Sequence, residues 1–229
     1  MKVKSILCTL LFSIQIAAAG QVLAESVEQK ALQNALQHPD RLTRDLERDE
    51  VRRPDLVIPF LGVKPDMRVL DVLAGGGYYT EIFARYLSAN GQVIMHNNSA
   101  YLPYREEELK ERFGNGRLSH VEQIIVEIPE LNFKDGEFDA IFFGLGFHDT
   151  YFSSQNWPAI DRDKFFAALF NALKPEGILG ITDHRSAPNA DPEHSGQILH
   201  RIDPKAVVRD LEKAGFQLVS KSDALRQPN

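Results

Sequence analysis

A chain of 229 residues, 43% hydrophobic and 25% charged, is long and apolar enough to bury one core of ordinary size, which excludes disorder as the default. Its formal net charge of −6 offers no basic groove for a phosphate backbone, which excludes nucleic acid as the main substrate. The single cysteine, Cys8, falls in the first stretch, so no disulfide staples the rest.

Residues 1–24 read as a secretory signal peptide. Lys2 and Lys4 form a basic start, Ile6 to Ala19 a short apolar run, and Val22-Leu23-Ala24 a small-residue cleavage site before Glu25. The run is too short to cross a bilayer comfortably, so a periplasmic or secreted protein is expected, without stable membrane insertion after cleavage. Residues 25–229 are expected to form a single domain, with a helical extension over 25–53 and an α/β core over 54–220.

In the extension, Val27, Ala31, Leu32, Ala35 and Leu36 predict one or two helices broken near His38-Pro39-Asp40. Arg41, Arg44, Asp45, Arg48 and Asp49 follow. The weight of such charge runs favours a solvated helix face with i,i+4 ion pairs over the sharper reading, a lid on a ligand. Pro54 to Leu61 predicts a helix ended at Gly62. Arg68 to Leu73 is an apolar strand, Gly75-Gly76-Gly77 a tight turn, and Glu81 to Leu87 lies on a crossover helix. Further strands are expected over Gln92–His96, Ser119–Val126 and Phe138–Gly144, with a charged helix at Arg105–Phe113. Asp161 to Leu173 is an amphipathic helix, and Gly177 to Asp183 a fifth strand. Asp203 caps a helix with Pro204 in its first turn, and Gly215 ends it. Phe216 to Ser220 is read as a sixth strand. The alternation predicts a doubly wound, mostly parallel α/β sheet of Rossmann-like kind, which binds ligands beyond the carboxyl ends of its strands.

Val69-Leu70-Asp71 followed by Gly75 and Gly77 resembles motif I of class I S-adenosylmethionine-dependent methyltransferases, Asp-x-Gly-x-Gly-x-Gly, with Leu73 in place of the first glycine. Read without that resemblance, the loop needs glycine only for close packing. Gly136-x-Phe138-Asp139-x-Ile141 and Leu173-Lys174-Pro175-x-Gly177 are similar to later motifs of the same family. With Arg48-Asp49-x-x-Arg52-Arg53-Pro54, the chain looks like a group of predicted methyltransferases carrying signal peptides. The resemblance implies S-adenosylmethionine as cofactor, a small-molecule acceptor, and cofactor contacts at Asp71, Ala74, Gly75, Gly77, Asn97, Glu127, Ile128 and Gly144. Asn97 stands where an acidic residue ordinarily meets the ribose, and an amide there loses charge assistance. Glu127 holds the place of the acid that meets the adenine amino group; on residue type alone it reads equally as a solvated loop carboxylate. The family ordinarily adds a seventh, antiparallel strand, for which the residues after Ser220 show no pattern.

Phe147-His148-Asp149-Thr150 follows the fourth strand, where class I enzymes commonly place substrate-facing residues. His148 is the candidate base and Asp149 its orienting partner or a substrate ligand. The alternative is a His–Asp pair that fixes the loop. His184, His194 and His200 each read as a surface or structural histidine; with Asp149 and Asp183 they offer the alternative of a metal site at the ends of strands four and five, but without metal-ligand spacing no metal is expected. Three functions stay open: methyl transfer to an unidentified small molecule, an exported binding protein that keeps the fold without turnover, or a metal-dependent hydrolase on this scaffold.

Overall fold

Val69, Leu70 and Val72 are all fully buried, as expected of a strand covered on both faces. In the computed structural model, which describes residues 27–226, this segment is the centre of a five-stranded sheet; the expected signal peptide, 1–24, lies outside the described residues. The strands are β1 Arg68–Val72, β2 Gln92–Asn97, β3 Glu122–Ile125, β4 Phe138–Gly144 and β5 Leu173–Thr182. Their order is β3-β2-β1-β4-β5, and every pairing is parallel. The chain winds outward in both directions from β1, so the crevice lies where β1 and β4 diverge.

The helices are α1 over 27–36, α2 Thr43–Arg52, α3 Pro54–Leu61, α4 Tyr78–Tyr86, α5 Leu102–Phe113, α6 Arg162–Ala172 and α7 Pro204–Lys213. Period-2 alternation along β1 divides the core. Val69 joins Leu32, Val57, Ile58, Ile82 and Phe83, from α1, α3 and α4, on one face. Leu70 and Val72 join Phe165, Phe166, Leu169 and Ala206, from α6 and α7, on the other. The expected cap is present, Asp203 accepting from Lys205 N at 3.0 Å, and Asp161 likewise caps α6, accepting from Lys164 N at 3.2 Å.

Two expectations are corrected. Phe216 to Ser220 is not a strand. Phe216 packs on Phe170 of α6, with ring centroids 5.2 Å apart, while Leu218 and Val219 are 50% and 84% exposed. With one apolar anchor in five residues, burial does not offset the entropy of ordering a strand. Among the described residues β5 is therefore an edge of the sheet.

The charge run of α2 is not a solvated face. Asp45 is fully buried and accepts from Arg112 of α5 at 2.7 Å; Arg112 is itself fully buried. The same guanidinium donates to Glu81 of α4 at 2.5 Å and to the Gly76 carbonyl at 2.5 Å. Arg48 bridges Asp45 and Glu108, and Arg41 grips Asp49 with two bonds of 2.6 and 2.8 Å. Asp49 in turn accepts from the Tyr78 hydroxyl at 2.5 Å. Helix α2 is thereby fixed against α5 and the start of α4, at the glycine turn.

Two titratable groups sit inside the sheet with opposite effects. Burial raises Asp71 from its ordinary 3.8 to about 7, against the bond from Thr80. Burial lowers His96 from 6.5 to about 4. Between pH 4 and 7 native Asp71 holds a proton that the unfolded chain has lost, so its contribution to stability falls as pH rises. Below 6.5 the unfolded chain protonates a histidine that the native chain keeps neutral, so stability falls as pH falls. The two slopes oppose each other. Asp71→Asn should leave the His96 slope alone, so the variant's stability by urea unfolding climbs more steeply from pH 4.5 to 6.5 than that of the parent, each pH being set by the roughly two-unit window of these shifts. Equal slopes would show that Asp71 titrates normally. Arg112→Met should cost about 3–5 kcal/mol, because Asp45 and Glu81 stay buried without their shared cation. A change in denaturation midpoint worth less than about 1 kcal/mol would place that network in solvent.

Candidate functional site

The glycine turn is built by three left-handed residues, Leu73 at φ +49, Gly75 at +59 and Gly77 at +76. Leu73 stands where the family pattern has glycine, and it takes the glycine conformation at a cost of roughly 1–2 kcal/mol. Its side chain is 2% exposed and packs among the core residues on the α6 and α7 face, which offsets the strain. Gly76 is required by contact: a Cβ there would lie 2.2 Å from the Glu108 side chain. Asp71, at the end of β1, accepts from Thr80 Oγ1 at 2.6 Å and ties the strand to the first turn of α4.

Asn97 ends β2, fully buried, and both ends of its amide are spent on one residue of the turn. Its Oδ1 accepts from Gly75 N and its Nδ2 donates to Gly75 O, each at 2.8 Å. A carboxylate accepts but cannot donate, so the amide matches this double contact where an acid would not. Across the crevice, Glu127 accepts from Ser99 N at 3.1 Å and from the Ser99 hydroxyl, and Ile128 is buried at the start of a 3-10 turn. Ala74 donates from N to His96 O at 3.0 Å, and Gly144 closes β4. Ala74, Gly75 and Gly77 thus lie on the loop between β1 and α4, with Asp71 in β1 just before it and Asn97 bound to it from the end of β2, while Glu127 and Ile128 follow β3.

Two arginines not singled out by the sequence reading flank this cradle. Arg52 lies over the Tyr78 ring at 4.4 Å and makes no ion pair among the described residues. Burial, then the charge of Arg48, push its pKa below the ordinary value. Arg105 Nε lies 3.7 Å from a Cβ built on Gly75. Arg105 is half-exposed and lies 3.9 Å from Glu108, whereas Arg52, a desolvated cation without a carboxylate among the described residues, is suited to an anionic ligand group. The signal in the sequence was Arg48-Asp49-x-x-Arg52-Arg53-Pro54, in which Asp55 takes Arg53 with two bonds of 3.0 and 2.8 Å and leaves Arg52 without a carboxylate among the described residues.

The histidine group lies beyond β4 and β5. His148, 6% exposed, sits on the 3-10 turn Phe147–Tyr151. Its partner through Nδ1 is Asp183, at 2.7 Å, which also accepts from His148 N at 2.8 Å. Asp183, rather than Asp149, therefore orients the ring; with the proton assigned to Nδ1 by this bond, Nε2 carries the lone pair. Asp149 lies on that second side, its Oδ1 3.3 Å from His148 Nε2. Its Oδ2 accepts from the Tyr101 hydroxyl at 2.5 Å. Burial works against a charged His148, but Asp183 and then Asp149 outweigh it and raise the pKa. Burial also raises Asp149, against His148 and Tyr101. His200 Nδ1 approaches Asp149 Oδ1 to 3.9 Å. His184 and His194 stand outside this group.

A family model described as a methyltransferase domain matches residues 70–181. The ubiquinone/menaquinone biosynthesis C-methyltransferase UbiE of Proteus mirabilis is 30% identical over 166 residues, 72% of this chain and 59% of that protein. The chain spans about half the length of the curated relatives it matches. A SAM-dependent methyltransferase from Aquifex aeolicus superposes with a TM-score of 0.59 at 24% identity, covering 76% of this chain and 85% of that one. The [4+2]-cyclase SpnF does so with a TM-score of 0.55 at 20% identity, over 86% and 73% of the two chains. These likenesses establish the fold, and a cyclase among them shows that the fold alone does not fix the reaction.

Asn97→Asp tests the double contact on the turn. The carboxylate leaves Gly75 O without its donor in a buried place, so the variant should lose about 1–3 kcal/mol by urea unfolding. Unchanged stability would mean that Asn97 is free to meet a ligand.

Proposed function

We propose that the α/β core of this chain is that of a class I S-adenosylmethionine-dependent methyltransferase, and that the protein transfers a methyl group from that cofactor to a small molecule bearing an ionisable hydroxyl. The observation that carries this reading is the position of Tyr101. Its ring lies 4.0 Å from a Cβ built on Gly75, and its hydroxyl donates to Asp149 at 2.5 Å. One side chain thus joins the glycine cradle to the histidine group.

The cradle suits the cofactor at its charged end, since Arg52 and Arg105 would take the carboxylate. Glu127 and Ile128 would stand at the adenine. The ribose end departs from the family, because Asn97 is held by Gly75. When bound, the cofactor supplies a sulfonium methyl carbon, an electrophile that needs alignment more than activation. The chain's own part is therefore to prepare the acceptor. Asp183 fixes His148 so that Nε2 faces the crevice and can receive a hydroxyl proton. Tyr101, Phe152 and Trp157 form the aromatic wall beside it, with Tyr101 and Trp157 4.8 Å apart and Phe152 and Trp157 5.7 Å apart. The similarity to a quinone-pathway C-methyltransferase directs the first acceptors to hydroxyaromatic rings, in which loss of the proton loads both oxygen and ring carbon as nucleophiles.

A second reading, a binding protein without turnover, is favoured by the held Asn97 amide; methyl transfer to any acceptor removes it. We also propose export directed by residues 1–24, supported by Lys2, Lys4 and the Val22-Leu23-Ala24 site. N-terminal sequencing of exported protein should begin at Glu25.

Calorimetric titration with S-adenosylmethionine and S-adenosylhomocysteine should show binding in the micromolar range, typical of about −8 kcal/mol. Arg52→Met should weaken that binding about 10-fold while sparing turnover at saturation, as expected for losing one charge-assisted contact. His148→Ala should lower turnover about 100-fold or more with cofactor affinity nearly unchanged. No binding of either compound to folded protein would overturn the reading.

A further inference from the structure

The histidine group is built from three residues on two segments that are far apart in sequence. His148 and Asp149 come from the turn after β4, and His200 follows the π-helical turn Ser195–Leu199. One nitrogen or oxygen from each of the three lies within 4.8 Å of the others. Nε2 of His148 and Oδ1 of Asp149 are 3.3 Å apart. That is the edge of a tetrahedron drawn around an ion with bonds of about 2.0–2.1 Å. Nδ1 of His200 stands 3.9 Å from the same oxygen, on a ring that is 55% exposed and free to close the remaining gap by side-chain rotation.

The atoms behind these three are already engaged. Asp183 accepts the Nδ1 proton of His148 at 2.7 Å, which directs the Nε2 lone pair into the group. Tyr101 donates to Asp149 Oδ2 at 2.5 Å, which leaves Oδ1 toward the histidines. A carboxylate behind a histidine and a donor behind a carboxylate are the supports that metal ligands need. Charge balance points the same way. Asp149 and Asp183 are both nearly buried, and neither pairs with a lysine or arginine among the described residues. A cation beside them would supply the missing compensation.

We propose that His148 Nε2, Asp149 Oδ1 and His200 Nδ1 bind one divalent transition-metal ion, with at least one coordination position open to the crevice. Two imidazoles and one carboxylate select Zn²⁺, Co²⁺ or Fe²⁺ over Mg²⁺ and Ca²⁺, which prefer oxygen throughout. An acceptor oxygen then has a defined place, held by the ion beside the aromatic wall. The site does not depend on the methyl-transfer reading, but it changes the part of His148 in it: with an ion on Nε2 the ring no longer takes the hydroxyl proton, and the ion would instead make an acceptor oxygen it holds more acidic.

The test is calorimetric titration of chelator-stripped, tag-free protein with ZnCl₂, together with visible absorption on adding CoCl₂. One Zn²⁺ per chain at micromolar affinity or tighter is expected, with Co²⁺ bands typical of four or five ligands. His200→Ala, at an exposed position that spares the core, should weaken Zn²⁺ binding at least 10-fold. Asp183→Asn should weaken it about 10- to 100-fold while leaving the stoichiometry at one. His194→Ala, outside the group, should leave it unchanged. Absence of Zn²⁺ binding, or binding that His200→Ala does not weaken, overturns the proposal. Titrating S-adenosylhomocysteine into the same samples separates the two readings. Cofactor binding without Zn²⁺ binding removes the metal site alone, and Zn²⁺ binding without cofactor binding removes methyl transfer alone.

Discussion

The buried guanidinium of Arg112 is the contact on which the cofactor side of the molecule depends. It carries its charge into a place without solvent, which is costly unless every donor is met. Here Nε bonds the Gly76 carbonyl, Nη1 bonds Asp45 and Glu81, and Nη2 reaches Glu108 at 3.2 Å. One side chain from α5 therefore fixes three things at once: the turn after β1, the first part of α4, and the N-terminal helix α2. Glu81 extends the network to Arg85 and Arg117, at 2.8 and 2.9 Å. The position of Arg52 follows from this. It is the last residue of α2, and Arg53, left-handed at φ +42, turns the chain into α3 beside it.

Beyond the strand ends the chemistry divides between two neighbouring pairs of strands. The loop after β1 and the end of β2 make a cradle whose polar groups are largely committed to one another, most plainly Asn97 to Gly75. The turns after β4 and β5 hold His148 and Asp183 with an unspent nitrogen facing outward. Tyr101 lies between, on the connection from β2 to α5. Rigid backbone contacts on one side and an imidazole awaiting a proton or an ion on the other suit a site that aligns one reactant and prepares a second.

Asp71 shows how a family residue acquires a further physical role. Its carboxyl is buried at the end of the central strand, and it binds Thr80 rather than solvent. The bond fixes how α4 leaves the turn. Burial of the group makes it a source of pH dependence opposite in sign to that of His96, one position before the end of β2. The sheet thus contains two compensating titrations, and neither contacts the histidine group.

The sequence by itself determined the sheet and the turn. Mainly apolar runs such as Val69 to Val72 and Phe138 to Phe143, each with a single aspartate, have no stable place except strands buried on both faces. A cap such as Asp203 acts within three residues, so its signal is local and was legible. Only the tertiary structure decided the rest, because the deciding contacts are long-range. Arg112 meets Asp45 across 67 residues, so a charge run that looks solvated in its own helix is buried by partners from elsewhere. His148 meets Asp183 across 35 residues, because parallel strands bring their carboxyl ends to one side only after a crossover helix. Asp149 was the partner suggested by adjacency, yet it meets the Nε2 side of the ring, and the carboxylate that holds Nδ1 came from the end of the next strand. Phe216 to Ser220 failed as a strand for the same reason: its composition allowed pairing, but only the fold could supply an apolar face to reward it.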